Sequence, residues 1–107
     1  MTTQAQQVLW GAMTERHLRN AVLDAAHTFH WRLYTTWTSM HSPAGFPDIV
    51  MVRPPRLIFV ELKTMKGKVS EAQWAWLHDL AVLPVESGTE SYLLRPSDLD
   101  WFIERLR

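Results

Sequence analysis

Two carboxylates and an amine interrupt the most apolar part of this chain. In the stretch GFPDIVMVRPPRLIFVELKT, residues 45–64, Asp48 precedes one aliphatic run, and Glu61 and Lys63 close the next. Burying an acid costs desolvation energy, and two acids opposed across a strand pair also repel each other. A divalent cation compensates both costs, because hard cations take carboxylate and carbonyl oxygens. The chemistry this offers is metal-assisted hydrolysis. The cation acidifies a water and neutralises charge developing at the reacting centre, and the amine orients the water or the charged group beside it.

The spacing predicts that the acids meet. Strands over about 48–53 and 56–63 are joined at Pro54-Pro55. Proline cannot donate to a ladder, so the corner lies outside the pairing. Counting outward from a tight corner, Arg53 faces Arg56 and Asp48 faces Glu61. Alternation puts Glu61 and Lys63 on one face and Leu62 on the other, with the Leu62 carbonyl close to the acids. Two prolines suit the primed hairpin turns poorly, so a wider loop or a bulge that shifts the register is the competing arrangement. A surface hairpin with an Asp48–Lys63 ion pair is another. Against the latter, Ile49, Val50, Met51, Ile58, Phe59 and Val60 are apolar on both faces, which suits a central strand pair.

Helices bring two more polar groups. Thr14 caps a helix to about Phe29 with the stripe Leu18, Val22, Ala25 and Phe29, and one turn back this stripe reaches Glu15. Ser70 caps a second helix to about Leu83, with the stripe Gln73, Trp76, Leu77 and Leu80. Each polar residue has a local explanation: Glu15 suits the positive end of a helix, and Gln73 completes a capping box. A single shared site explains all four polar groups together. Elsewhere, residues 1–12 read as a loose arm or a frayed extra turn. WRLYTTW (31–37) and SYLL (91–94) read as strands, and Ser97 starts a last helix with the stripe Leu99, Phe102, Ile103 and Leu106. The order α-β-β-β-α-β-α describes an α/β domain with a central mixed sheet flanked by helices. At 107 residues this is one domain, taken as 14–107 behind an arm over 1–13.

Composition narrows the function classes. Eleven basic and eleven acidic side chains cancel, whereas a nucleic-acid binder is usually basic overall. Locally, Arg53, Arg56, Lys63, Lys66 and Lys68 stand against Glu61 alone. Lys66 and Lys68, nearest the acids, are phosphate candidates. Arg53 and Arg56, about 15 Å away along the strands, either reach a distant phosphate or a subunit or solvate the corner. His41 precedes Asp48 in the loop SMHSPAG and is a candidate substrate contact. The absence of cysteine excludes a disulfide scaffold and thiolate metal sites, and fits a reducing cytoplasm. The five histidines show no ligand spacing for zinc. No apolar run approaches a membrane span, and MTTQAQQVLW does not read as a signal peptide. Trp10, Trp37, Trp74 and Trp101 can supply an apolar interface, with Trp74, off its helix stripe, the first choice.

Pro47-Asp48 followed by Glu61-Leu62-Lys63 resembles the PD-(D/E)XK nuclease signature. The longer pattern AGFPDIVMV…LIFVELKT…GKVSEAQWAWLHDL is similar to the VRR-NUC branch, the virus-type replication-repair nucleases, and especially to its small stand-alone phage versions. That resemblance implies a restriction-endonuclease-like core and a Mg²⁺- or Mn²⁺-dependent DNA endonuclease. Such an enzyme would act on branched DNA in the manner of a Holliday-junction resolvase, as a homodimer without membrane or organic cofactor, in the cytoplasm of a bacterial host if phage-encoded. It makes Asp48 and Glu61 metal ligands with the Leu62 carbonyl, Glu15 a ligand directly or through water, Lys63 the water-orienting group and Gln73 a neighbour of the site. The loop SMHSPA lacks the arginines common in relatives, which bears on DNA affinity. A nuclease fold that binds DNA or a partner without cutting it is the alternative.

Overall fold

The computed structural model describes residues 2–36 and 43–107, and its centre is the proline-cornered hairpin. In chain order the elements are helices α1 (Gln4–Ala12) and α2 (Glu15–Thr28), strands β1 (Arg32–Thr35), β2 (Ile49–Arg53) and β3 (Arg56–Leu62), helix α3 (Glu71–Ala81), strand β4 (Thr89–Leu94) and helix α4 (Leu99–Leu106). β2 and β3 pair antiparallel from Arg53 opposite Arg56 out to Ile49 opposite Val60, with a cis Pro54–Pro55 bond at the corner. This is the register counted from the corner, without a bulge. β1 joins the free edge of β2 antiparallel, and β4 runs parallel to β3. The sheet is therefore mixed, in the order β1-β2-β3-β4, with the proline-cornered hairpin at its centre. A parallel neighbour needs a crossover, which α3 supplies.

Alternation divides the sheet into two faces. Ile49, Met51, Ile58, Val60 and Leu62 are fully buried in one core with Leu18, Val22 and Ala26 of α2 and Phe102 and Leu106 of α4. Each of these side chains larger than alanine contributes roughly 1.5–3 kcal/mol by leaving water. The opposite face carries α3, whose Leu77 carbonyl accepts a 3.0 Å hydrogen bond from the Ser91 hydroxyl of β4.

Several boundaries differ from the sequence reading. Residues 4–12 form a full helix where a loose arm or frayed turn was expected, capped by a reciprocal Thr3–Gln6 box. On α2 the third fully buried residue is Ala26, with Ala25 and Phe29 packed at the margin of the core. The last helix begins at Leu99, after a 3₁₀ turn over Pro96–Asp98. Trp37 and His41 lie outside the described residues. No described helix is long and apolar enough to cross a membrane.

The corner end of the hairpin is tied to the end of α4. The last carbonyls of a helix lack internal partners and carry partial negative charge. Here Trp31 Nε1 donates to the Leu106 carbonyl at 2.9 Å, and Arg53 donates to the carbonyls of Phe29, Leu106 and Arg107 at 2.8–3.1 Å. Arg56 donates to the Arg105 carbonyl at 2.8 Å and grips Glu90 with two bonds at 2.6 and 2.9 Å. Tyr92 and Arg105 also donate to Glu90. The Arg56 bonds hold the Glu90 carboxyl down at about 2 against its burial, with Tyr92 and Arg105 adding to the effect.

Glu90→Gln is expected to destabilise the protein by about 2 kcal/mol at neutral pH, since charge-assisted bonds are lost. Because the folded carboxyl titrates below its ordinary 4.5, its contribution is complete above that pH and disappears as the pH falls towards 2. Urea unfolding of both proteins at pH 7, 4 and 3 checks this, with the difference between them shrinking on acidification.

Candidate active site

Asp48 is placed by its neighbours in the chain. Gly45 has φ +81°, and a side chain there would begin 2.4 Å from the Ala72 carbonyl carbon, so only glycine lets this loop rest on the start of α3. Phe46 then packs edge-on against Trp76 and Phe59, at 5.0 and 6.2 Å between ring centroids. Thr36, just beyond β1, donates its hydroxyl to the Pro47 carbonyl at 2.8 Å and its N–H to the Asp48 carbonyl at 2.9 Å. Held in this way, the Asp48 carboxylate crosses to the next strand, and its Oδ2 accepts the Leu62 N–H at 2.8 Å.

Glu61 is the only buried charged residue among those described, at 3% exposure. Gln73 Nε2 donates to its Oε2 at 3.0 Å. The same Gln73 amide accepts the Ser70 N–H through Oε1 at 2.8 Å. The capping box thereby orients the amide so that its N–H faces Glu61, and the local and the site roles of Gln73 coincide. Burial, followed by the charge and hydrogen bond of Asp48, pushes the Glu61 carboxyl up to about 8. Lys63 opposes this shift and Glu15 adds to it. At neutral pH the Glu61 carboxyl therefore keeps a proton that an isolated carboxyl would have released.

Lys63 follows on the same face. Its N–H donates to the Leu94 carbonyl at 2.9 Å, and its stem lies against Gly67, where an added Cβ would stand 3.3 Å from Lys63 Cδ. Glu15 is exposed, not on the buried stripe expected for it. It is the first residue of α2, so no preceding turn covers it. Its charge is felt at Glu61, yet among the described residues no three acids or imidazoles form a metal-sized cluster. Lys66 and Lys68 are exposed in the turn after β3. Arg53 and Arg56 are at the far end of the hairpin, with their guanidiniums on helix carbonyls and Glu90. Asp48, Glu61, Lys63 and Gln73 thus converge, Glu15 borders them, and the two arginines stand apart. Two residues escaped the sequence reading. Thr36 carries no local signal, and Arg95, described below, acts through long-range bonds that no spacing rule reveals.

The donor set suits a hard divalent cation: Glu61 can exchange its proton for the ion, with the Asp48 carboxylate beside it. A family model for the VRR-NUC domain matches residues 2–91, which includes Glu15, Asp48, Glu61, Lys63 and Gln73. No curated protein and no solved structure matches the chain.

Without added metal, the raised Glu61 carboxyl makes stability depend on pH. The folded state holds its proton more tightly than the unfolded chain, so this contribution is complete below 4.5 and is lost as the pH rises through about 8. Thermal melts in chelator at intervals from pH 5 to 8.5 are expected to show the wild type losing a few kcal/mol relative to Glu61→Gln. Parallel curves for the two proteins would refute the shift.

Proposed function

Because this chain belongs to the VRR-NUC domain family, a nuclease-type branch of the PD-(D/E)XK superfamily, we propose that it is a divalent-metal-dependent DNA endonuclease acting on branched or structured duplexes. The observation that carries this reading is the buried Glu61 beside Asp48, short of one deprotonation and flanked by Lys63 and Gln73.

Asp48 and Glu61 would hold Mg²⁺ or Mn²⁺, assisted by the Leu62 carbonyl, with Glu15 acting through water. The bound ion supplies an acidified water and charge neutralisation at the scissile phosphate. Gln73 keeps one Glu61 oxygen engaged and so sets the direction of the other. The Leu62 N–H does the same for Asp48. Lys63 orients the attacking water and counters charge on the non-bridging phosphate oxygens. Lys66 and Lys68 meet neighbouring phosphates. Arg53 and Arg56 are assigned to capping helix ends rather than to DNA. A homodimer with one site per strand is the proposed assembly. Its apolar interface would use α3, where Trp74 is 52% exposed and lies beside a cleft lined also by Leu77, Ala81 and Leu93.

Mg²⁺ or Mn²⁺ is expected to raise the melting temperature of the wild type and to leave that of Asp48→Asn unchanged. A shift retained in the variant would place the ion elsewhere. Cleavage is expected to require divalent metal and to fall by at least about a hundredfold in Lys63→Ala. A panel of single strand, duplex, flap and four-way junction, assayed with each metal, identifies the substrate. Preference for the junction over the duplex supports the branched-DNA reading, and equal cutting of both refutes it.

A further inference from the structure

Arg95 lies at the end of β4, beyond the stretch that the family model matches. Its Nη1 donates to the Thr64 carbonyl at 2.6 Å and the Gly67 carbonyl at 2.9 Å, with a longer approach of 3.3 Å to that of Met65. These carbonyls belong to the turn that follows Lys63, closed by the Gly67 N–H on the Thr64 carbonyl at 3.2 Å. Three carbonyl oxygens converging on one point repel each other unless a cation lies between them, and a guanidinium remains charged at any working pH. The cation is itself mounted firmly. The Arg95 N–H is held by Asp98 Oδ2 at 2.9 Å, Pro96 is fully buried, and the preceding Leu94 carbonyl takes the Lys63 N–H.

The turn matters because it touches Lys63. At Gly67 the backbone passes so near the lysine stem that even a methyl group would crowd Lys63 Cδ and Thr64 Oγ1, at 3.3 and 3.1 Å. We propose that Arg95 is a positioning residue for catalysis: it clamps the Thr64–Gly67 turn against the stem of Lys63 and so aims the Lys63 amine at the reacting phosphate. The inference rests on the nuclease reading above and assigns it a residue that touches neither metal nor substrate. Leu94 and Arg95 together hold the main chain of Lys63 and the turn that supports its side chain. Lys66, in the same turn, is carried on the same mount.

The test compares Arg95→Ala, Arg95→Lys, Gly67→Ala and Lys63→Ala with the wild type, as full chains. In Arg95→Ala, kcat is expected to fall about tenfold to a hundredfold, the cost of misplacing a reacting group by an ångström or less. The Mg²⁺-induced melting shift should stay within about twofold, since it does not depend on the aim of Lys63, and KM for DNA should rise by less than kcat falls, since Lys66 in the same turn meets only a neighbouring phosphate. Added guanidinium chloride at millimolar concentration should restore part of the rate, and Arg95→Lys should fall between the two. Gly67→Ala, with Arg95 intact, should also lower kcat by displacing the Lys63 stem. Faster amide hydrogen exchange at Gly67 in Arg95→Ala would report the opened turn directly. Unchanged kcat in Arg95→Ala while Lys63→Ala is inactive overturns the clamp and leaves the nuclease reading standing. Full activity in Lys63→Ala overturns both. If Arg95→Ala does not fold, Arg95→Lys decides, because an ammonium cannot reproduce the guanidinium contacts: lowered kcat with an unchanged Mg²⁺-induced melting shift supports the clamp, and wild-type kcat overturns it.

Discussion

A slip of one residue between β2 and β3 would turn Glu61 into the apolar core and bring Leu62 out to face α3. The register of that one strand pair therefore carries both the core and the acid pair. It is secured at both ends. At the corner, Arg53 and Arg56 flank Pro54–Pro55 and fasten to the final carbonyls of α4. At the other end, the Asp48 carboxylate itself bonds the Leu62 N–H. Between them, Ile49, Met51, Ile58 and Val60 interlock with α2 and α4. The acid pair is thus mounted on the central strand pair of the sheet, whose register is fixed by packing and by bonds at both ends.

That mounting has an electrostatic cost. Glu61 is buried next to a second acid, and its carboxyl is pushed to about 8. The hydrogen bond from Gln73 and the opposing charge of Lys63 limit the penalty without removing it. At the opposite end of the sheet Glu90 shows the reverse case, an acid surrounded by Arg56, Arg105 and Tyr92 and held near 2. The two carboxyls differ because one has cations and donors on several sides and the other has an acid beside it. Glu90 is a fastening. Glu61 shares its burial with Asp48, a pair of carboxylates of the kind that suits a hard divalent cation, and the VRR-NUC family of the chain is a nuclease-type one.

The positive charge concentrated between residues 53 and 68 likewise has two uses. Arg53 and Arg56 complete the ends of helices, where carbonyl dipoles lack partners. Lys63 is felt at Glu61, and Lys66 and Lys68 are exposed in and just after a turn whose carbonyls converge on Arg95. A cluster that looks uniform along the chain is thus separated by the hairpin into a fastening at one end and a charged rim at the other.

Short-range rules made much of this legible. Alternation, the inability of proline to pair and the counting of partners from the corner place Asp48 opposite Glu61, and the capping residues Thr14 and Ser70 start α2 and α3 where they are found. Thr3 and Gln6 carry the same capping signal for α1, in a stretch too short to show an apolar stripe. What the sequence determined was the pairing and the chemistry: two acids, an amine and an amide on elements of known phase. Only the tertiary structure decided that Glu15 is exposed, that one Gln73 amide serves both a helix cap and Glu61, that the hairpin arginines fasten α4, and that Arg95 reaches the turn behind Lys63. Periodicity and capping act within a few residues along the chain, whereas these contacts join groups distant in sequence, whose meeting depends on how the helices seat on the sheet.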